Sequence, residues 1–281
     1  MTDVRIKTDD FSFVRDLMLR RSGIVLEPGK EYLVEARLLP VARTAGYDSV
    51  SRFIARLRSE PTPQLLTDVV EALTINETSW FRDRHPFDAL RDHVLPELLA
   101  RPQTNKRVKV WSAACSSGQE PYSIAMVLSD ALSTRPGWSA DILATDLSNQ
   151  ILTQARAARY SQLEVKRGLP APLLVRHFER AGTHWVLRES IRKMVSFREL
   201  NLAGPLPTMT AVDIVFLRNV LIYFDAPMKR RVLAQVRRVL CPDGYVFLGG
   251  AETTLHLDDE FERLPLGSTS VYRRRAGKAV R

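Results

Sequence analysis

Between Val108 and Ile124 an apolar run, Val-Lys-Val-Trp-Ser, stops in six small residues, Ala113 to Gly118, and a helical pattern begins just after them. A strand that turns sharply into a helix is the building unit of a doubly wound parallel sheet, so this stretch constrains the fold more than any other. The short side chains of Ala113, Ala114, Cys115, Ser116, Ser117 and Gly118 would let a bound molecule approach the backbone and meet free N–H groups at the helix N-terminus. A second apolar run, Asp141 to Thr145, ends in Asp146. A carboxylate at that place can accept hydrogen bonds from both hydroxyls of a ribose. A tight turn or a helix cap would account for either element by itself. Together they point to a nucleoside cofactor bound by an α/β, Rossmann-like sheet.

The same alternation continues downstream. Strands are expected at Val108 to Ser112, Asp141 to Thr145, Val212 to Leu217 and Tyr245 to Gly249, and helices at Pro121 to Ala131, Asn149 to Arg159 and Met228 to Leu240. Between Tyr160 and Leu200 the alternation breaks. His184 to Arg188 and Met194 to Arg198 read as short antiparallel strands of an inserted subdomain. The first 75 residues show only helical periodicity. Phe13, Val14, Leu17 and Met18 form one stripe stopped by Ser22-Gly23, and Tyr32, Leu33, Ala36 and Leu39 form another, stopped near Gly46. Asp48 is placed to cap a third helix through Phe53, Ile54 and Leu57, and a fourth follows Pro63 with Leu65, Leu66, Val69, Val70 and Leu73. The expected organisation is an all-helical domain over 1–75, a connecting segment over 76–107, and a sheet domain over 108–281 carrying a small β subdomain at about 170–198.

Composition narrows the function classes. With 45% hydrophobic and 26% charged residues the chain reads as globular, and neither a signal-peptide pattern nor a bilayer-length apolar run is evident, so a cytoplasmic protein without membrane insertion is expected. Two cysteines, Cys115 and Cys241, suffice neither for a disulfide framework nor for a four-cysteine zinc site, and no metal is expected. The net charge of +9 suggests nucleic acid as a partner, but residues 1 to 75 carry 11 basic and 11 acidic side chains. The excess is concentrated in Lys229-Arg230-Arg231, Arg237-Arg238 and the tail from Arg273 to Arg281, where a solvated helix face and a chain end account for it.

Three further segments put polar residues into apolar context: Asn76 to Arg82, Glu199 to Leu202, and Phe216 to Asp225. In the last, the strand from Val212 delivers Arg218 and Asn219 to its carboxyl end, the edge where open parallel sheets bind ligands. The set Asn76-x-Thr78-x-Trp80-Phe81-Arg82, Ala114-Cys-Ser-Ser-Gly118-x-Glu120-Pro-Tyr-Ser123, Ala144-Thr-Asp146, Asn201-Leu202 and Arg218-Asn-Val-Leu-Ile-Tyr223-Phe-Asp225 resembles the CheR chemotaxis methyltransferases. That family uses S-adenosylmethionine to methylate glutamates of bacterial chemoreceptors. The likeness extends from the N-terminal helices to Gly244-Tyr-Val-Phe-Leu-Gly249.

The resemblance implies S-adenosyl-L-methionine as cofactor, S-adenosyl-L-homocysteine as product, and the cytoplasmic domain of methyl-accepting chemoreceptors as partner. It implies Asp146 as the ribose-binding acid and Glu120 as the acid that engages the methionine ammonium. Asn76, Thr78 and Arg82 would contribute from the connecting segment, with Ala114 in the turn and Asn201, Leu202, Arg218 and Asn219 around the rest of the cofactor. Arg82 and Tyr223 would flank the acceptor carboxylate. A glutamate is already ionised at neutral pH, so the reaction needs positioning and water exclusion rather than a general base.

Departures from the family pattern are Gln119, where many relatives have an acid, and Ala251 before Glu252, where a serine is frequent; both read as peripheral. The segment Arg180-Ala-Gly182-Thr-His-Trp185 is short and holds one glycine, which argues against tethering to a receptor pentapeptide. Direct docking of the N-terminal helices is expected instead, with Arg52 and Arg56 on one helix face, and the enzyme is expected to be a monomer. Two other functions compete. A nucleic-acid methyltransferase would carry Asn/Asp-Pro-Pro-aromatic after the fourth strand or a Pro-Cys nucleophile, where this chain has Leu217-Arg-Asn-Val220 and Cys241-Pro242. A catalytically weak, cofactor-binding scaffold would have no need for both Arg82 and Tyr223.

Overall fold

The computed structural model describes residues 6–102 and 105–275. The first five residues and the end of the basic tail, including Lys278 and Arg281, lie outside them.

Four helices open the chain: α1 (Thr8–Ser22), α2 (Glu31–Thr44), α3 (Val50–Ser59) and α4 (Pro63–Leu73). Gly23 ends α1 at φ +72, a left-handed cap whose N–H bonds to the Leu19 carbonyl. Val14 and Met18 of α1, Phe53 and Ile54 of α3, and Val69 of α4 fill the core of this layer. In α2 the buried stripe is Val34, Leu38 and Ala42, not the expected Tyr32, Leu33, Ala36 and Leu39; Tyr32 is 67% exposed. The helix is apolar around much of its circumference, and the side bearing Leu33 and Arg37 faces a cleft instead of the core. The cap of α3 is also corrected. Ser49 Oγ accepts the Arg52 N–H at 3.4 Å, while Asp48 pairs with the Arg52 guanidinium at 2.8 Å.

After α4 the chain runs extended through Asn76 to Ser79, then makes a turn in which Phe81, Asp83 and Arg84 all have positive φ, at 47, 65 and 47°. Non-glycine residues adopt that region only at a cost, so three within four residues must be held by their surroundings. A helical stretch follows as α5 (His85–Ala89), a π turn and α6 (Leu95–Ala100).

The sheet then builds through β1 (Arg107–Ala113), α7 (Gln119–Leu132), β2 (Ser139–Asp146) and α8 (Asn149–Ala157). The excursion comprises β3 (Arg159–Ser161), α9 (Gln162–Lys166), α10 (Ala171–His177), β4 (Phe178–Ala181), β5 (His184–Leu187) and α11 (Glu189–Arg192). Then come β6 (Val195–Glu199), β7 (Val212–Leu217), α12 (Ala226–Val239), β8 (Leu240–Leu248), β9 (Phe261–Leu266) and β10 (Thr269–Arg274). The main sheet has the order β6-β2-β1-β7-β8-β10-β9, parallel from β6 to β8, with β10 antiparallel to both its neighbours. The connection direction reverses at β1, between β2 and β7, which opens a crevice at the carboxyl ends.

The expectation of an antiparallel strand at Met194 to Arg198 is overturned. Val195–Glu199 pairs parallel with β2 at the edge of the main sheet, with Val195 and Phe197 packed on Cys115, Ala144 and Leu152. His184–Leu187 does belong to a small antiparallel sheet, in the order β3-β5-β4. Arg159, expected at the end of a helix, is instead the first residue of β3, because Ala158 leaves α8 in the left-handed region at φ 49°. Cys115 is buried, Cys241 is half-buried, and both are free thiols.

Candidate active site

The carboxyl ends of β1, β2, β6 and β7 open onto a cavity of about 390 Å³, roofed by the cleft side of the N-terminal helices. Every residue expected at the site lines it. Asn76, Thr78 and Arg82 come from the connecting segment, Ala114 and Glu120 from the turn into α7, and Asp146 from the end of β2. Asn201 and Leu202 follow β6, and Arg218, Asn219 and Tyr223 follow β7.

The turn after β1 coils through the left-handed region at alternate residues, with φ of 60° at Ala114, 51° at Ser116 and 94° at Gly118. Glycine suits the last position, because an L side chain is strained at φ 94° and a Cβ there would crowd Ala155 Cβ and the Tyr160 hydroxyl, each at 3.1 Å. The N–H groups of this turn are less free than expected. Cys115 N–H bonds to the Thr145 carbonyl at 2.9 Å, Gly118 N–H to the Cys115 carbonyl at 3.1 Å, and Ser116 N–H to Asp146 Oδ2 at 2.8 Å. The adjacent parallel strand brings the Thr145 carbonyl and the Asp146 carboxylate within reach, so β2 consumes donors that the sequence left open. Asp146 Oδ1 accepts the Ser148 N–H at 3.1 Å. Burial pushes the Asp146 carboxyl above its ordinary 3.8, against the pull of those N–H donors. Each oxygen retains lone-pair capacity for a further donor. Ser116 Oγ donates to the Asn76 carbonyl at 2.6 Å and ties the connecting segment to the turn.

Glu120 sits on the first turn of α7. Its Oε1 accepts the Ser112 hydroxyl at 2.9 Å, and its Oε2 accepts from the Arg218 guanidinium at 2.9 Å. Burial raises its carboxyl above the ordinary 4.5, with Arg218 and Ser112 working the other way. Arg218 also donates to the Arg82 carbonyl at 2.8 Å and to Asp83 Oδ2 at 2.7 Å. It therefore holds the positive-φ turn from inside, while its buried Nε has no hydrogen-bond partner among the described residues.

The other wall carries Arg82 and Tyr223. The Arg82 guanidinium donates to the Glu77 carbonyl at 2.9 Å. Tyr223 is half-buried; burial raises its phenol, and the positive charge of Arg82 is the largest opposing influence. The backbone carbonyl of Tyr223 accepts the Val25 N–H at 2.9 Å, and Ile24 bridges Phe224, so the helical layer is stitched to this loop. Asn201 serves the same junction. Its Nδ2 donates to the Arg21 carbonyl at 2.6 Å and its Oδ1 accepts the Ala203 N–H at 2.9 Å, so its polar atoms already have partners. Asn76 and Thr78 lie in extended chain and cap no helix.

Three residues that line the cavity or hold its lining carry no sequence signal of their own. Arg37 of α2 lines the cavity and donates to the Leu73 and Thr74 carbonyls at 3.3 and 3.2 Å. Asp83 pairs with Arg218 across 135 residues. Glu252 accepts backbone N–H groups from the loop that holds Asn219. Arg52 and Arg56, by contrast, are paired with Asp48 and Glu60 at 2.8 and 2.5 Å and do not present bare cations. Among the described residues no group of three His, Cys, Asp or Glu side chains is placed to hold a metal, and no helix is long and apolar enough to cross a membrane.

Residues 9–74 match the family described as CheR methyltransferase, all-alpha domain, and residues 76–269 match CheR methyltransferase, SAM binding domain. Chemotaxis protein methyltransferase 1 of Pseudomonas aeruginosa is 40% identical over 268 residues, covering 94% of this chain and 97% of that protein. Chemotaxis protein methyltransferase Cher2 of Pseudomonas putida is 39% identical, with the same two coverages, and the chemotaxis protein methyltransferase of Vibrio parahaemolyticus is 39% identical over 97% of this chain and 99% of its own length. With both halves of the chain matched and the buried acids, the arginine and the tyrosine around one cavity, the protein belongs to the CheR family of S-adenosylmethionine-dependent methyltransferases.

Proposed function

We propose that the protein transfers the methyl group of S-adenosylmethionine to glutamate side chains of chemoreceptor cytoplasmic domains, with Arg82 and Tyr223 holding the acceptor carboxylate. The observation that carries this reading is the polarity of one cavity: two buried carboxylates, Asp146 and Glu120, on the sheet side, and Arg82 with the Tyr223 hydroxyl on the other. The cavity volume suits a nucleoside-sized ligand. The donor set suits this cofactor, since a ribose diol and an ammonium both need acceptors.

When bound, S-adenosylmethionine supplies an electrophilic methyl group on a sulfonium. Asp146 accepts from the ribose hydroxyls and Glu120 from the ammonium, sharing its carboxylate with Arg218. Asn76, Thr78, Ala114, Leu202 and Asn219 shape the walls, and Asn201 keeps the helical roof in place. On the acceptor side, the planar fork of Arg82 orients a carboxylate and Tyr223 donates one more hydrogen bond. The incoming glutamate is an anion at neutral pH and its own oxygen is the nucleophile, so these two groups orient it and displace water. No proton has to be moved.

Receptor docking falls to the mouth of the cavity, where Lys30 and Arg37 line the roof, rather than to the ion-paired Arg52 and Arg56. The β4–β5 connection is a tight turn around Gly182, which supports docking without a pentapeptide tether. The direct test incubates the protein with methyl-labelled S-adenosylmethionine and receptor cytoplasmic fragments, then treats the labelled receptor with base. Release of the label as methanol is expected; label that survives base, or that enters nucleic acid only, would overturn the assignment.

A further inference from the structure

Glu252, in the segment between β8 and β9, touches neither the acceptor site nor the cofactor acids, yet its carboxylate gathers five backbone N–H groups. Oε1 accepts from Val220, Leu221 and Ile222 at 2.9, 2.7 and 3.3 Å. Oε2 accepts from Asn219 at 2.7 Å and Gly249 at 2.6 Å. We propose that Glu252 is a positioning residue that sets the Asn219–Tyr223 loop and, through it, the placement of the Tyr223 hydroxyl. The inference rests on the proposed role of Tyr223.

Convergent backbone N–H groups form a concavity of partial positive charge that needs an anion. Left without one, partly buried donors lose their hydrogen bonds and repel one another. Here the anion is part of the chain. The backbone that makes the concavity is unusual: Asn219 lies in the left-handed region at φ 57°, and Val220, at φ −126° and ψ −37°, leads into a single 3-10 turn at Leu221–Tyr223. Gly249 is fitted to the same contact, since a Cβ there would fall 2.7 Å from Glu252 Oε2 and 2.8 Å from the Asn219 side-chain nitrogen.

A carboxylate suits this role where an amide does not. It offers two oxygens and about four lone-pair sites, all acceptors. Glutamine would turn one oxygen into a donor aimed either at Asn219 and Gly249 or at Val220, Leu221 and Ile222. The loop would then keep its far anchor, the Val25 N–H on the Tyr223 carbonyl, and lose the near one.

The experiment is a double-mutant cycle on kcat with Glu252→Gln and Tyr223→Phe, run with receptor fragment as substrate and with cofactor affinity and thermal unfolding measured alongside. A displacement of the order of 1 Å at an orienting group costs about 100-fold, so Glu252→Gln is expected to lower kcat by roughly 10- to 100-fold. In the Tyr223→Phe background the same change is expected to cost much less, because the group it positions is already gone. A general loss of structure would lower both backgrounds equally. Glu252→Asp, which keeps the charge and retracts it by one methylene, supplies the same cycle if the glutamine variant does not fold. Normal kcat in Glu252→Gln, or strict additivity with Tyr223→Phe, overturns the inference. A Tyr223→Phe enzyme with full turnover removes the acceptor-site reading itself, and so the two failures are told apart.

Discussion

Arg218 and Glu120 meet at 2.9 Å in an ion pair whose guanidinium has no exposed surface and whose carboxylate is 11% exposed. Removing one member of such a pair strands a buried charge, at a cost of about 3–5 kcal/mol, whereas removing both is far milder. Arg218→Met should therefore destabilise the protein by roughly that amount in urea unfolding. Pairing it with Glu120→Gln should restore a large part of the loss. A double variant no more stable than Arg218→Met would show that the tie to Asp83 and the Arg82 carbonyl, rather than the pair with Glu120, carries the energy.

Asp146 has two partners before any ligand arrives, the N–H groups of Ser116 and Ser148. Asp146→Ala should thus loosen the turn after β1 as well as remove the ribose acceptor. Hydrogen bonds to a charged group contribute about 1.5–3 kcal/mol, so calorimetric titration should find cofactor binding weakened by roughly 10- to 150-fold. Unchanged affinity would take the ribose away from Asp146 and leave it as a clamp on the turn.

What could be read from the residues was whatever is local. The apolar runs Val212 to Leu217 and Val108 to Ser112 signal strands by composition and length alone, and both are strands. The family motifs named eleven residues, and all line one cavity. What could not be read depends on partners distant in the chain. Glu252 acts on N–H groups 30 to 33 residues away, and Asp83 acts on a guanidinium 135 residues away. No periodicity encodes either. Val195–Glu199 has the alternation of a half-buried strand, but only the position of β2 decides whether such a strand pairs parallel or antiparallel. Tyr32 and Val34 are both apolar, and only the packed helices reveal which faces the core.

Gly168 lies against Trp80, the buried tryptophan between Thr78 and Arg82, whose ring packs edge-on against Tyr160 and Phe178. A Cβ at 168 would stand 2.1 Å from the Trp80 carbonyl oxygen, at φ 94°. Backbone cannot swing aside as a side chain can, so Gly168→Ala must shift the connecting segment. A loss of about 2 kcal/mol or more is expected in thermal unfolding, together with reduced turnover because Arg82 is two residues away. Gly182→Ala is the control. It has a positive φ of 64° but nothing within 4 Å, so only the backbone cost of about 1 kcal/mol should appear, with turnover intact. Equal effects at the two glycines would mean that the contact with Trp80 is not what Gly168 is for.

The raised carboxyls of Asp146 and Glu120 set opposite pH dependences for stability and for binding. An acid whose folded pKa lies above its unfolded value binds protons more readily in the folded protein. Without cofactor, these two groups therefore cost stability fully above their folded pKa values, and the cost is relieved as the pH falls towards the unfolded ones. Binding has the other sign, since accepting from an ammonium or a ribose favours the carboxylate, and protonation removes an acceptor and a negative charge. Cofactor affinity should accordingly fall on acidification from a pH above the ordinary 4.5 of a glutamate, through the range where the raised groups protonate. Titrations from about pH 8 down to about pH 4, past the ordinary 4.5 of a glutamate, should show this decline in the native protein, and a weaker but flatter profile in Asp146→Asn, where one of the two titrating acids is gone. A native profile that stays level over the whole range would mean that cofactor binding does not draw on these carboxylates in their ionised form.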